Sequence, residues 1–330
     1  MRHALDSVRT LKTSEPTNKS VESQTKPEDN GDRNAEINHW NEIEHRASAG
    51  ERLFWLNHPR VAQRYFEKSL VDGLLWRDWI IRQFNGPAET ALELGCGNGA
   101  ALVETLKAGA AKTGVGIDLD DSRFQVDRGR FGTALRFAAA DLNRIEIEPN
   151  RYDLIYALHS FHHFEALEHI MEQVTHGLTD RGYFVLEEYV GPARFQWTNL
   201  QLSLTSQLLG IMPKPLRWYK NGIEKRAEGR SSPEEVIRVC PSEAIRSNEI
   251  VPLFLKYFDP IHHKKLGGTI QHLLYSGIIH NFPDGDSEID HMIDCIDGIE
   301  TTLIDLGPLP SDFVLLIGQA PSHGRTLAGC

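Results

Sequence analysis

Between Ile37 and Phe84, bulky apolar and aromatic residues recur mostly at three- and four-residue steps, through Trp40, Leu53, Val61, Tyr65, Leu74, Trp79 and Ile80. That period places them along one stripe of successive helices. His58-Pro59 interrupts the run, because the residue before a proline avoids the helical region. Past Glu89 the rhythm changes. Short apolar runs at residues 90–94, 114–117, 134–138, 153–157 and 183–186 alternate with helical stretches at 101–108, 122–128 and 166–178. Such alternation predicts βαβ units and a mostly parallel sheet covered on both faces, a Rossmann-like α/β fold. Asp180-Arg181-Gly182 reads as the turn into the fifth strand.

Beyond Gly191 the pattern predicts a helix over 195–209, a basic loop over 213–230 and a helix opened by Ser232-Pro233-Glu234-Glu235 as cap, first-turn proline and N3 glutamate. An amphipathic helix at 247–258, a strand at 260–266, helices at 269–279 and 287–306 and a last strand at 313–317 complete the expectation. Residues 1–36 carry hardly any bulky apolar side chains and are expected to be a disordered tail.

The net charge of −11 across 330 residues lacks the broad basic field that phosphate-backbone binding needs, so no nucleic-acid partner is expected. No apolar run approaches the roughly 18–20 residues of a membrane span. Cys96, Cys240, Cys295 and Cys330 form no CxxC pair, which argues against a disulfide framework or a zinc knuckle and for a cytoplasmic protein. A homodimer stays open.

The most informative segment is Glu93-Leu94-Gly95-Cys96-Gly97-Asn98-Gly99-Ala100, where a strand ends and a helix begins. Glycines there let the backbone turn sharply and approach a ligand. Gly95-x-Gly97-x-x-Ala100 also satisfies the dinucleotide fingerprint, with Asp118 about 20 residues on as the ribose-binding acid. Three features favour another ligand: Glu93 just before the first glycine, the third glycine at Gly99, and a second acid, Asp141, after the third strand.

Here the chain resembles the class I S-adenosylmethionine-dependent methyltransferases, including a bacterial small-molecule subgroup. Glu93-x-Gly95-x-Gly97-x-Gly99 resembles their first motif, Gly116-Ile117-Asp118 their second and Asp141-Leu142 their third. Tyr152-Asp153-Leu154-Ile155 resembles their fourth strand, and His162-His163 the double histidine frequent after it. At the fifth strand Thr179-Asp180-Arg181 departs from the family's usual proline and glycine. The resemblance implies a seven-stranded sheet with its last strand reversed. It divides the chain into a helical lid at 37–86, a donor-binding core at 87–191, an acceptor-side insertion at 192–247, and C-terminal core strands with a further insertion at 248–330. It implies S-adenosylmethionine as cofactor. The glycine turn, with Glu93, Gly95, Cys96, Gly97, Asn98 and Gly99, would hold the methionine portion. Asp118 and Leu119 would hold the ribose, and Asp141 and Leu142 the adenine. Leu158 and, from the lid, Tyr65 would complete the donor site. Asp118 and Asp141 each follow a strand, so either one alone could equally cap the next helix.

Methyl transfer needs a base only where the acceptor must lose a proton of high pKa. His159 and His162 follow the fourth strand and could take it, His162 being favoured; Glu188 ends the fifth strand and could orient an acceptor. The H-x-x-H-H spacing has no carboxylate following at ligand distance, so no metal is expected. The expected acceptor is a small molecule methylated on oxygen, a secondary metabolite or sugar, of aromatic or anionic character. Phe195, Trp197, Leu208, Met212, Trp218 and Tyr219 could line an apolar pocket for it. Lys214, Arg217, Lys220, Lys225, Arg226 and Arg230 form the one basic concentration.

Overall fold

The computed structural model describes residues 28–120, 124 and 131–321. The helix expected over 122–128 falls, Phe124 apart, outside them. Seven strands form one sheet: β1 (Ala88–Leu94), β2 (Ala111–Asp118), β3 (Leu135–Ala139), β4 (Tyr152–Leu158), β5 (Leu178–Tyr189), β6 (Asp259–Gly267) and β7 (Phe313–Gln319). Their order is β3-β2-β1-β4-β5-β7-β6. β1 to β5 pair in parallel, and β7 runs antiparallel between β5 and β6. The two-residue period of each strand sorts its side chains between two cores. Leu154 and Tyr156 join Ala91, Val185 and Leu315 on one face. Ile155 and Ala157 join Leu92, Phe184 and Leu316 on the other. Both faces being covered explains why the strands read as apolar runs rather than as alternation.

Helices α1 (Glu28–Ser48), α2 (Pro59–Ser69), α3 (Trp76–Phe84) and α4 (Ala100–Lys107) precede or flank the first strands. After them come α5 (Leu167–Gly177), α6 (Asn199–Ile211), α7 (Pro233–Val239), α8 (Ile250–Tyr257), α9 (Gln271–Tyr275) and α10 (Ser287–Asp305). α5 and α8 cover the second face through Ile170, Val174 and Phe254. α2, α3, α4 and α10 cover the first through Val61, Trp79, Leu102 and Ile293. The expected cap of α7 is present: Ser232 Oγ accepts from Glu235 N at 3.2 Å while Glu235 Oε2 accepts from Ser232 N at 3.1 Å.

Three boundaries differ from the sequence reading. α1 begins at Glu28, so residues 28–36 are helical rather than tail; Arg33 donates to Leu119 O just past β2, a contact far along the chain that local composition cannot reveal. Asp180-Arg181-Gly182 lies inside β5, which starts pairing with β4 at Leu178 and absorbs the expected turn as a register shift. The helix expected over 269–279 is confined to α9 and is followed by a left-handed Gly277, φ +74°.

Candidate functional site

Strand order reverses between β1 and β4, and an open parallel sheet leaves a crevice at the carboxyl ends there. A cavity of about 720 Å³ opens at that point, walled by Gly95, Gly97, Asp118, Asp141 and His159, with Trp40 of α1 across it. Gly95 has φ +69°, and a Cβ on it would stand 2.5 Å from the Ser160 Cβ. Ser160 Oγ in turn donates to Leu94 O at 2.7 Å, tying the two strand ends together. Only glycine fits that approach.

The glycine turn also aims an acid. Gly97 N donates to Asp118 Oδ2 at 2.7 Å, and Leu119 N to Asp118 Oδ1 at 2.8 Å. These two amide bonds orient the carboxylate. Asp141 Oδ1 accepts from Asn143 N at 2.9 Å and from Asn143 Nδ2 at 3.1 Å, a short Asx turn. Asn143 Oδ1 accepts from Glu165 N and Ala166 N at 2.8 and 2.9 Å, which joins the end of β3 to the start of α5. Asn143 was missed from sequence; the signal was the Asp-x-Asn spacing at the end of a strand.

Of the residues expected around a donor, Gly95, Gly97, Asp118, Leu119, Asp141 and Leu142 line the cavity. Asn98 stands behind the turn, its Nδ2 donating to Glu44 Oε1 at 2.7 Å. Cys96 is buried, its amide on Ile117 O, and Gly99 is the left-handed cap of α4 at φ 83°. Glu93, Leu158 and Tyr65 are not on the wall. Glu93 is buried under the turn with Tyr156 Oη at 3.2 Å, and burial pushes its carboxyl up to about 8. Leu158 packs against the first core, and Tyr65 is buried within it.

The two glutamates ending β5 face opposite ways, as adjacent strand residues must. Glu188 is fully buried; it accepts from Phe161 N at 2.5 Å, Tyr189 N at 2.6 Å and His162 Nδ1 at 2.5 Å. His162 Nε2 lies 3.4 Å from Glu243 Oε1. Burial alone would lower this histidine's pKa, but the Glu188 and Glu243 carboxylates outweigh it and hold the ring at about 10. Both nitrogens of the imidazolium are engaged, and the ring does not line the cavity. His163 does line it; burial and the His162 cation press it down to about 4, leaving it neutral, with Nδ1 2.9 Å from Ser242 Oγ.

On the other side of the strand ends, His159 Nε2 is 3.4 Å from Glu187 Oε1. Burial opposes its protonation, yet Glu187 and Glu188 raise its pKa on balance. His159 has φ 52°, a left-handed geometry uncommon outside glycine that holds the ring at the cleft wall. The carboxylate missing from the local H-x-x-H-H spacing arrives from far along the chain. His162, His163 and Glu243, and separately Glu36, His163 and Cys240, bring ligand atoms within 4.8 Å of one another and could hold an ion.

The cavity wall carries five acids, Glu36, Asp118, Asp120, Asp141 and Glu165, against three arginines, Arg33, Arg144 and Arg194. Burial, aided by Glu243, Asp118 and Asp141, raises the Glu36 pKa. The basic loop offers little to an anion. Arg217 and Arg226 reach Glu224, Lys220 reaches Glu51, and Lys225 is buried on Leu273 O and Glu228. Arg230 is held by Trp197 O and Asn199, and Lys214 sits over the Trp218 ring.

A family model described as a methyltransferase domain matches residues 91–182, the stretch that holds the glycine turn, both acids and His159. Over that stretch, on its seven-stranded α/β sheet, the chain is similar to a class I S-adenosylmethionine-dependent methyltransferase domain. A sterol 4-C-methyltransferase of Caenorhabditis elegans is 26% identical over 102 residues, 30% of this chain and 30% of that protein, so the chain spans under a third of that relative's length. Among solved structures, an S-adenosylmethionine-dependent methyltransferase from Mesorhizobium loti covers 74% of this chain and 98% of its own, at 16% identity and a TM-score of 0.41. A geranyl diphosphate C-methyltransferase from Streptomyces coelicolor covers 74% of this chain and 80% of its own, at 10% identity and 0.43.

Proposed function

We propose that the protein methylates an oxygen of a small-molecule acceptor, with S-adenosylmethionine held in the cleft at the β1 and β4 ends. The observation that carries this reading is Asp118, aimed by Gly97 N and Leu119 N into a cleft whose other end presents Asp141. An acceptor-only carboxylate at the first position suits a ribose diol, and one at the second suits an exocyclic amine. The excess of acids over arginines on the wall suits a donor carrying sulfonium and ammonium charges. Gly95 gives the methionine portion room that any Cβ would close.

When bound, S-adenosylmethionine supplies an electrophilic methyl on a positive sulfur and leaves as a neutral thioether. The chain then has to orient an acceptor in line, exclude water and accept one proton. His159 is the side chain fitted to take that proton at Nε2, backed by Glu187 at 3.4 Å. His162 and Glu188, the other two expected catalytic residues, suit a positioning role: together with Glu243 they fix the loop after β4 to the segment around residue 243.

The test is product release, followed as S-adenosylhomocysteine, with a panel of hydroxylated acceptors. His159→Ala is expected to lower kcat by about 10²–10⁴, far more than it weakens donor binding. The wild-type rate should rise with pH through a pKa raised from the ordinary histidine value by the Glu187 and Glu188 carboxylates. Methyl transfer to carbon with His159→Ala unimpaired would contradict the oxygen-acceptor reading.

A further inference from the structure

Three segments far apart in the chain bring donor atoms of three different kinds together at the edge of the cleft. On α1, Arg33, Glu36, Trp40 and Glu44 recur at three- and four-residue steps and so share one face. That face is turned to the cleft: Arg33 donates to Leu119 O at 3.1 Å, Glu44 accepts from Asn98, and the Trp40 ring meets the His163 ring edge-on at 5.2 Å. Glu36 is thereby carried to His163, in the loop after β4, and to Cys240, the C-cap of α7. A carboxylate oxygen, an imidazole nitrogen and the Cys240 sulfur lie within 4.8 Å of one another.

The two partners of Glu36 sit in a fixed frame. Arg194 Nη1 donates to Pro241 O at 2.7 Å and to Glu243 O at 2.9 Å, and Ile245 N donates to His162 O at 3.1 Å. Ser242 Oγ stands 2.9 Å from His163 Nδ1 and orients the ring, as the outer partners of metal-binding histidines do. The other ring nitrogen, Nε2, is buried with no hydrogen-bond partner. Cys240 is 1% exposed, and its sulfur meets Ser242 Oγ at a loose 3.9 Å. Buried polar atoms are nearly always satisfied, so these under-used donors beside a carboxylate mark a place for a ligand. The neighbouring trio of His162, His163 and Glu243 is less suited, because Glu188 and Glu243 already engage both nitrogens of His162.

We propose that Glu36, His163 and Cys240 form a site for a divalent ion of the zinc class, which fastens α1 across the cleft. As the sulfur–metal bond forms, the Cys240 thiol gives up its proton to solvent. Thiolate and imidazole together select zinc-like ions, whereas magnesium and calcium take oxygen ligands. A tetrahedral zinc with bonds of about 2.0–2.3 Å sets its donor atoms about 3.4–3.8 Å apart, so the trio closes by about 1 Å on binding. α1 is the part that moves, since among the described residues none of α1 belongs to either core. Glu36 and His163 line the cavity, which leaves the ion's fourth position to water or to a ligand in the cleft.

The test takes the full chain, freed of metal with a chelator, and titrates it with Zn²⁺, Co²⁺ and Mg²⁺. One Zn²⁺ or Co²⁺ per chain should bind, Mg²⁺ should not, and the cobalt form should show a thiolate-to-metal charge-transfer band. Cys240→Ser should abolish that band, and Glu36→Gln should weaken Zn²⁺ binding by about tenfold or more. Amide hydrogen exchange across α1 should slow when Zn²⁺ is added to the wild type and not when it is added to Cys240→Ser. Absence of zinc binding would overturn the proposal. So would a band that persists in Cys240→Ser, which would assign the thiol to Cys295, whose sulfur lies 3.7 Å from His291 Nε2 on α10. Unchanged affinity in Glu36→Gln, with exchange across α1 indifferent to zinc, would place the ion away from α1 and overturn it too. S-adenosylhomocysteine enters none of these readouts, so failure here leaves the donor reading intact, and failure of donor binding leaves this site intact.

Discussion

His162 donates from Nδ1 to Glu188 at 2.5 Å and faces Glu243 at 3.4 Å, in surroundings from which water is nearly excluded. A buried cation whose folded pKa is about 10, against an unperturbed value near 6.5, stabilises the fold fully below pH 6.5. That contribution is lost as pH rises towards 10. Denaturant titrations at pH 6.5 and pH 9.5 should therefore show a fall in stability that is smaller in His162→Gln. Glu243→Gln should cost about 3–5 kcal/mol at neutral pH, the usual penalty for leaving one member of a buried ionic cluster short of a partner. A change below 1 kcal/mol would show that the ring is neutral in the fold.

At the scale of elements, the decisive contact is between the end of β1 and the loop after β4. Gly95→Ala places a Cβ 2.5 Å from Ser160 at φ +69°, so the turn that aims Asp118 must shift. Donor affinity should fall more than tenfold, and stability by about 1–3 kcal/mol for the strained backbone alone. Calorimetric titration beside a denaturant melt checks both. The strands and this turn were legible in the sequence because they are written locally, in runs of apolar residues and in glycine spacing. The same holds for the Ser232–Glu235 cap and for the opposed directions of Glu187 and Glu188. The start of α1 was not legible: its holds on Leu119 O and on Asn98 are contacts between segments far apart in the chain.

Over the whole molecule, the groups that change the reading of a residue arrive from elsewhere in the chain. His162 was expected to be the base, and Glu243, from the segment between α7 and α8, makes it an engaged cation. The basic loop promised an anionic acceptor until Glu51, Glu224 and Glu228 were seen to occupy it. The cleft at the β1 and β4 ends gathers acids from α1, β2, the β3 exit and the start of α5, an assembly that spacing alone cannot show. The most direct test of that cleft is calorimetric titration of the full chain with S-adenosylmethionine, S-adenosylhomocysteine and NADH, repeated on Asp118→Ala. Micromolar binding of the two sulfur ligands, lost in the variant and absent for NADH, is the expected result. Binding of NADH without the others, or sulfur-ligand binding untouched by Asp118→Ala, would contradict the donor site described here.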